Sequence, residues 1–428
     1  MAPEQGLVHP TRYDVKDSNV ELINSDLDHK VKYSSAETEP AWNDGHVGLE
    51  PGLRVWRIEQ FEVVPWPKER YGEFYDGDSY IVLHSYSVDQ DGEKQEPTGE
   101  EGEEETEDKA KKLGHEIFFW LGKDTTQDEA GTAAYKTVEL DEFLHGAATQ
   151  HREIQESPSG EFVSLFPRLI IRRGGVRSGF THVETDAEAE SAEKQKQIIT
   201  LLRIFKQPGV GRASTVFVHE VEPTWKSLDD DDVFVLETGE KIWVWQGKKC
   251  SPIEKAKGAQ IVSDLTVAKH IETEVLSQEE SRSHVFVKLL AGEEEEPEQD
   301  SFSAPRPISF RGSRAVGSDD ASTPPLKLFK LSDESGRLRF DLVKEAESLS
   351  KGDFEGDAIF VVDTGKTLWA WEGANASHKE KASWLKVISA YARHVVEQTQ
   401  DPDQTVMPVA RTVQGHESRA FLKAIASH

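Results

Sequence analysis

The stretch "IWVWQGKKCSPIE" (residues 242–254) decides the fold. An apolar, aromatic run that stops at Trp-x-Gly reads as a strand closed by a turn. Glu254 then falls in the first turn of a helix. Just upstream, "DDVFVLE" (231–237) reads as a second apolar strand with carboxylates at its mouth. The same unit occurs twice more, as "GDSYIVL" (77–83) with "FFWLG" (118–122), and as "GDAIFVV" (356–362) with "LWAWEG" (368–373). From Trp to Glu is nine residues each time: Trp120 to Glu129, Trp245 to Glu254, Trp371 to Glu380. The Asp precedes its Trp by 13 residues in the second unit, 14 in the third and 42 in the first. The long interval in the first unit places the acidic tract "EPTGEEGEEETEDKAKK" inside a hairpin.

Each unit also opens on a strand: "LRVWRIEQFEVVPW" (53–66), "TLLRIFK" (200–206) and "LKLFKLS" (326–332). Helices are expected at 127–145, 252–269 and 377–396. A sheet with a helix laid on it buries the helix's apolar stripe, so the fold class is α+β in three tandem copies. The expected boundaries are an amino-terminal arm (1–48), repeat 1 (49–178, with an insertion at 87–114), a linker (179–195), repeat 2 (196–291), a linker (292–325) and repeat 3 (326–428).

The 428 residues suit two to four domains. Acidic residues number 79 against 50 basic, a net charge of -29, which opposes nucleic-acid binding and favours cations or basic protein surfaces. Cys250 is the one cysteine, so neither a disulfide nor a thiolate zinc site is expected. The stretch "MAPEQGLVHPTRYDVKDSN" lacks an apolar signal core, and no apolar run approaches the ~20 residues of a membrane span. The expected location is the cytoplasm.

An Asp at a strand mouth and a Glu at a helix start make a hard-oxygen site when they meet. Calcium takes roughly 6–8 such oxygens, backbone carbonyls included. The candidate pairs are Asp78 with Glu129, Asp232 with Glu254, and Asp357 with Glu380. A glycine before the Asp helps a carbonyl turn inward; in repeat 2, Asp231 replaces it. The plainer alternative is that the glutamates are helix-start acids favoured by the macrodipole, and the aspartates turn residues. Along the first long helix, Ala130, Ala133, Ala134, Val138, Leu140 and Leu144 form the apolar stripe. Tyr135 and Phe143 fall outside it and suit either cover by other elements or a partner's groove.

"GLRVWRIEQFEVVPWPKERYGEFYDGDSYIVLHSY", "WLGKDTTQDEAGTAAYKTVELDEFLHG" and "QHREIQ" resemble the gelsolin family. With "YDVKDSNV" near the amino terminus and three repeats, the chain looks like its short severin/fragmin branch. The resemblance implies three tandem gelsolin-like domains, each a central mixed β-sheet packed between a long and a short helix. It implies a monomeric cytoskeletal protein that severs actin filaments under calcium control, caps their barbed ends and nucleates new ones. Its partners would be actin monomer and filament. The helix 127–145 would wedge between actin subdomains through Tyr135, Val138, Asp141 and Phe143.

By the same resemblance, one calcium uses the Gly77 carbonyl, Asp78, Glu129 and the Val176 carbonyl. A second, shared with actin, uses Asp141 and the carbonyls of Gly146 and Ala148. Asp231 and Gly356 would serve as carbonyl donors beside Asp232/Glu254 and Asp357/Glu380. Arg168, Arg172, Arg173 and Arg177 would meet phosphoinositide head groups, although near the start of repeat 2 the basic segment keeps only Lys206 and Arg212. The family's second-repeat disulfide is ruled out by Val233 and Gln246. Three rivals stand beside this reading: a capper that does not sever, a passive calcium-binding scaffold, and an esterase with Ser79 of "GDSY" as nucleophile.

Overall fold

A computed structural model describes residues 36–88, 113–176, 200–206, 216–269, 271–291, 301–308, 325–398 and 407–426. The acidic tract within 89–112 and the linker 179–195 lie outside the described residues. Repeat 1 contains β1 (Gly52–Glu59), β2 (Glu62–Pro65), β3 (Glu73–Tyr75), β4 (Ser79–Ser87), β5 (Leu113–Leu121), α1 (Gln127–Phe143), β6 (Ala148–Ile154), α2 (Gly160–Ser164) and β7 (Arg168–Arg172). Repeat 2 contains β8 (Thr200–Phe205), β9 (Val216–Val221), β10 (Val233–Glu237), β11 (Lys241–Gln246), α3 (Pro252–Lys269), β12 (Glu272–Ser277) and α4 (Ser283–Ala291). Repeat 3 contains β13 (Leu326–Ser332), β14 (Arg339–Ala346), β15 (Ile359–Asp363), β16 (Leu368–Glu372), α5 (His378–Gln398), β17 (Val409–Val413) and α6 (Arg419–Ala426).

The three repeats share one wiring. An antiparallel hairpin (β4–β5, β10–β11, β15–β16) feeds the long helix, and the next strand returns parallel to the hairpin's second strand. The hairpin strands are apolar on both faces because both faces are covered. In β4, Ile81 and Leu83 pack with Ala133 and Leu140 of α1, while Tyr80 and Val82 pack with Phe162 and Val163 of α2. In repeat 2, Val233 and Val235 meet α3 at Ile261 and Val262, and Phe234 and Leu236 meet α4 at Phe286. In repeat 3, Val361 meets Ile388 and Ala392 of α5, and Phe360 meets Phe421 of α6. Each repeat is thus a sheet between a long and a short helix.

The Trp-x-Gly turn has a steric origin. A Cβ on Gly122, Gly247 or Gly373 would stand 2.3, 2.4 or 2.5 Å from the carbonyl oxygen of Asp76, Asp230 or Gly356. Only glycine lets the two chains approach that closely.

The repeats also join one another. A ten-stranded sheet runs β14-β13-β15-β16-β17-β6-β5-β4-β1-β2, with repeat 3 added to repeat 1 through the antiparallel pair β17–β6. A seven-stranded sheet runs β12-β11-β10-β8-β9-β7-β3, so repeat 1 lends β7 and β3 to the sheet of repeat 2.

Two segments expected to lie apart from the repeats are packed against them. Within the arm, Ala36, Ala41, Trp42 and Val47 enter the core beside α1, and Trp42 meets Trp56 edge-on at 4.9 Å. Within the second linker, residues 301–308 lie on the folded body: Phe302 is buried beside Trp245, and Ile308 is buried with Phe205, Phe217 and Trp66. Apolar residues spaced through polar sequence anchor both segments. Among the described residues no helix is long and apolar enough to cross a membrane.

Candidate functional site

In repeat 1, β4 begins one residue after Asp78, and Glu129 lies in the first turn of α1. Both side chains are buried. Asp78 Oδ1 accepts the Val176 N–H at 2.8 Å, and Oδ2 accepts from Tyr80 at 3.3 Å and faces Arg57 Nε at 2.9 Å. Gly175 lies against this carboxylate, where a Cβ would come within 2.4 Å of Asp78 Oδ1. Glu129 Oε2 accepts from the Thr125 hydroxyl at 3.4 Å, and its Oε1 is buried without a hydrogen-bond partner. Burial pushes Asp78 up to about 6, against the pull of Arg57. Burial, then the neighbouring charge of Asp78, pushes Glu129 up to about 8. Two buried carboxylates facing a single guanidinium form a cluster short of positive charge.

Repeat 2 keeps the pair and saturates it. Asp232 Oδ2 takes Arg203 Nε at 2.6 Å, and Oδ1 takes Arg306 Nη2 at 2.8 Å. Glu254 accepts the Lys206 N–H and the Ser251 N–H, each at 2.7 Å. The Ser251 hydroxyl in turn accepts from the Glu254 N–H at 3.3 Å, a reciprocal helix cap. Asp231 is exposed and pairs loosely with Lys249 at 3.9 Å.

Repeat 3 departs from the sequence expectation. Strand register aligns Tyr80 with Trp120, Phe234 with Trp245, and Phe360 with Trp371. Two residues ahead of those aromatics stand Asp78, Asp232 and, in repeat 3, Ala358. The turn agrees: the carbonyls of Asp76, Asp230 and Gly356 accept from Asp124, Lys249 and Asn375 at 2.8, 2.9 and 2.7 Å. Gly356 is therefore the counterpart of Asp76, not of Gly77, and its carbonyl is spent in the turn. Asp357 is displaced one position from the place of Asp78; its side chain is 55% exposed and 3.9 Å from Lys330. The extra residue in the third Asp-to-Trp interval, 14 against 13, is the cause. Glu380 is buried and capped as in repeat 2, by the N–H groups of Asp333 and Ser377 at 2.9 Å each.

Sequence reading missed the cations. Arg57, Arg203 and Lys330 occupy one register position on the three first strands, opposite Tyr80, Phe234 and Phe360. Their signal was a basic residue within each largely apolar strand, one in β8 and two each in β1 and β13. Arg306 had no such signal, because it comes from distant sequence.

The second proposed site of repeat 1 lies at the far end of α1. Asp141 Oδ1 accepts the Ala148 N–H at 3.0 Å, and Oδ2 accepts from Gln150 at 2.6 Å. Gly146, at φ 68°, bonds its N–H to the Asp141 carbonyl at 2.8 Å. Arg411 of repeat 3 reaches within 3.9 Å of Asp141 while its guanidinium grips Glu372 at 2.8 Å. On α1, Tyr135 is 53% exposed and Val138 is half-buried. Phe143, expected outside the stripe, packs against the core instead. Buried Thr137 and Glu139 widen the covered face beyond the apolar residues. Arg168, Arg172 and Arg173 face Asp264, Glu220 and Glu222 at 3.3 to 3.5 Å; Arg177 lies outside the described residues.

Among the described residues no group of three or more His, Cys, Asp or Glu side chains is arranged to hold a metal ion. A divalent site here would rest on two carboxylates plus backbone carbonyls. By that test repeat 1 fits, with its buried pair, its unpartnered Glu129 oxygen and its glycine-lined cradle. Repeat 2 fits only if a guanidinium leaves Asp232. Repeat 3 lacks the strand-mouth carboxylate and does not fit.

Three copies of a two-helix, one-sheet module, each with a buried glutamate at the start of its long helix, define a tandem-repeat protein. Comparison with known proteins gives the class its name. The family model for the gelsolin repeat matches residues 60–163, 214–287 and 341–422. Gelsolin-like protein 1 of Lumbricus terrestris is 33% identical over 425 residues, 99% of each chain. Severin of Echinococcus granulosus is 34% identical over 394 residues, 89% of this chain and 90% of its own. The actin depolymerising venom protein gelsolin 1 of Platymeris rhadamanthus is 32% identical over 384 residues, 87% of this chain and 88% of its own. The chain belongs to the gelsolin family.

Proposed function

We propose that this protein severs actin filaments and caps their barbed ends under calcium control, with the first repeat carrying the actin contact. The observation that carries the reading is the clasp of Asp78 and Glu129 at the base of α1, the helix that exposes Tyr135. Relatives that match over almost nine-tenths of the chain are named severin and actin depolymerising venom protein gelsolin 1, which supports the reading. Asp78, Glu129 and the carbonyls of Gly77 and Val176 would hold the ion. When bound, calcium supplies the positive charge that the two carboxylates lack.

The chain's own residues do the rest. Asp78 fixes the strand mouth through Val176 and Arg57, and the Thr125 hydroxyl links Glu129 at the helix start to Ser79 beside that mouth. Tyr135 and Val138 present an amphipathic flank that suits a groove between actin subdomains. Asp141, with the carbonyls of Gly146 and Ala148, would complete a second ion site at the actin contact. In the arrangement described, β17 lies along β6 and Arg411 approaches Asp141, so this end of the site faces repeat 3. Separating β17 from β6 would present Asp141 to a partner, and that equilibrium is what calcium would bias. Severing then needs no covalent step, since binding energy displaces an actin–actin contact.

A second reading, capping without severing, is favoured by one observation. Of the arginines expected to meet phosphoinositides, Arg168, Arg172 and Arg173 already face carboxylates of repeat 2. A phosphate head group would have to compete with Asp264, Glu220 and Glu222. The esterase reading loses support, because Ser79 is buried and its hydroxyl bonds Thr125 at 2.8 Å.

Co-sedimentation with filaments and barbed-end elongation, each with calcium and with chelator, tests the proposal. Calcium-dependent binding and arrested elongation are expected. Binding unaffected by chelator would overturn calcium control, and absence of binding would overturn the actin role.

A further inference from the structure

The three long helices start from equivalent turns, so their outward positions can be matched by counting from the buried glutamates. Two residues on from Glu129, Glu254 and Glu380 stand Gly131, Ala256 and Ala382. Six residues on stand Tyr135, Gln260 and Lys386. Every one of these positions is exposed. Residues four apart share one flank of a helix, so each pair marks the same outward strip on its own repeat. Of the three strips, the one on α1 alone pairs a glycine with an aromatic ring.

Packing within the repeat gives no reason for that glycine. Gly131 lies inside α1, with no positive φ to favour glycine. A Cβ added there would meet nothing within 4 Å. Gly258 of α3 is the contrast: it faces the sheet, where a Cβ would come within 3.1 Å of Val233 Cγ1. Glycine in a helix interior costs stability relative to alanine, and repeats 2 and 3 take alanine at the place of Gly131. Repeat 1 thus carries a cost that its own core does not require. At an exposed position, the missing Cβ opens the backbone to close approach, and an incoming chain can rest on the helix itself. Tyr135, one turn on and 53% exposed, offers that chain a ring to lie against.

We propose that Gly131 is a notch in the actin-facing strip of α1: actin packs directly on the helix backbone between Gln127 and Tyr135, and a side chain at position 131 holds it off. This deepens the actin reading above and rests on it. It also assigns the face. The flank of Gln127, Gly131 and Tyr135 meets actin, and the alanine-bearing strips of α3 and α5 do not repeat this contact.

Binding of labelled actin monomer to the full-length chain in calcium tests this, together with thermal unfolding of the actin-free protein. A glycine kept for the fold and a glycine kept for a contact give opposite pairs of results. Gly131→Ala should raise the melting temperature by about 1–3 °C, because alanine is the better helix former. The same variant should weaken actin binding about tenfold, the effect of one extra methyl in a close-packed contact. Gly131→Leu should weaken it by about a hundredfold, while Ala256→Leu and Ala382→Leu, at the matching places, should bind as the wild type does. Calcium calorimetry without actin should give the same ions and affinities for Gly131→Ala and wild type, which separates the contact from damage to the nearby Glu129. Wild-type actin affinity in Gly131→Leu would overturn the notch, as would equal losses in Gly131→Leu and Ala256→Leu. Weaker actin binding in Gly131→Ala that came with a lower melting temperature or weaker calcium binding would assign the glycine to the fold and overturn the notch as well. Each of these leaves the actin reading standing so long as the wild type binds. A wild type that does not bind actin overturns that reading and the notch with it.

Discussion

In the first repeat Glu129 keeps a buried oxygen with no hydrogen bond, whereas in the second Glu254 commits both oxygens to backbone N–H groups. Both glutamates open a long helix after the same Trp-x-Gly turn. The difference begins one residue before each helix. Ser251 forms a reciprocal cap with Glu254, while the hydroxyl of Thr126 is buried and unpartnered. A capped glutamate spends one oxygen on its own helix start and the other on the N–H just past the first strand, whereas the uncapped Glu129 keeps an oxygen unspent. The same acid at the same spacing is thus tied up as a helix cap in one repeat and, on the calcium reading proposed above, left open as half of an ion clasp in the other. The third repeat, with Ala358 at the strand mouth and a capped Glu380, lies at the structural extreme.

The comparison can be broken at the turn that all repeats share. Gly122→Ala, Gly247→Ala and Gly373→Ala should each cost roughly 2 kcal/mol or more in urea unfolding, since backbone must shift. One glycine tolerated far better than the others would show that the frames are not equivalent.

Next in size is the clasp itself. Glu129→Gln should weaken calcium binding at the first repeat by at least about tenfold in titration calorimetry, or ~1.4 kcal/mol. It should also flatten a pH response. Glu129 is raised from 4.5 to about 8 in the fold. Its neutral form therefore stabilises the calcium-free protein below the lower value, and that stabilisation is lost as pH rises through the upper one. The calcium-free melting temperature should fall across that window in the wild type and fall less in Glu129→Gln. Because calcium displaces the proton, the wild-type calcium midpoint should drop over the same range.

The caps predict a smaller contrast. Ser251→Ala should cost about 1 kcal/mol in thermal unfolding, while Thr126→Ala should cost a few tenths at most. The least effect belongs to Asp357→Asn, for which calorimetry should find the same number of bound calcium ions as in the wild type.

Much of this was legible in the chain. The Trp-x-Gly turns, the hairpins and the three long helices follow from periodicity and glycine placement, because local sterics dictate them. Strand Asp and helix Glu could be paired in repeats 1 and 2 by counting alone. Counting failed in repeat 3, where one added residue moves Asp357 off the strand mouth; register is a property of pairing, which spacing reports only when the hairpins are equal. Arg306 was illegible for another reason. Its contact spans 74 residues, and no local pattern announces a segment that returns to an earlier strand. Phe143 was placed outside the stripe by an ideal helical wheel, yet it sits in the last turn of α1, where packing against repeat 1 decides.

The most direct test watches single labelled actin filaments by fluorescence microscopy at stepped free calcium, with wild type and Glu129→Gln compared. Fragmentation should rise with calcium in the wild type, and the variant should need clearly more calcium for the same rate of breaks. Breaks that appear equally in chelator, or coincident calcium curves for the two proteins, would contradict the role given to the first-repeat clasp.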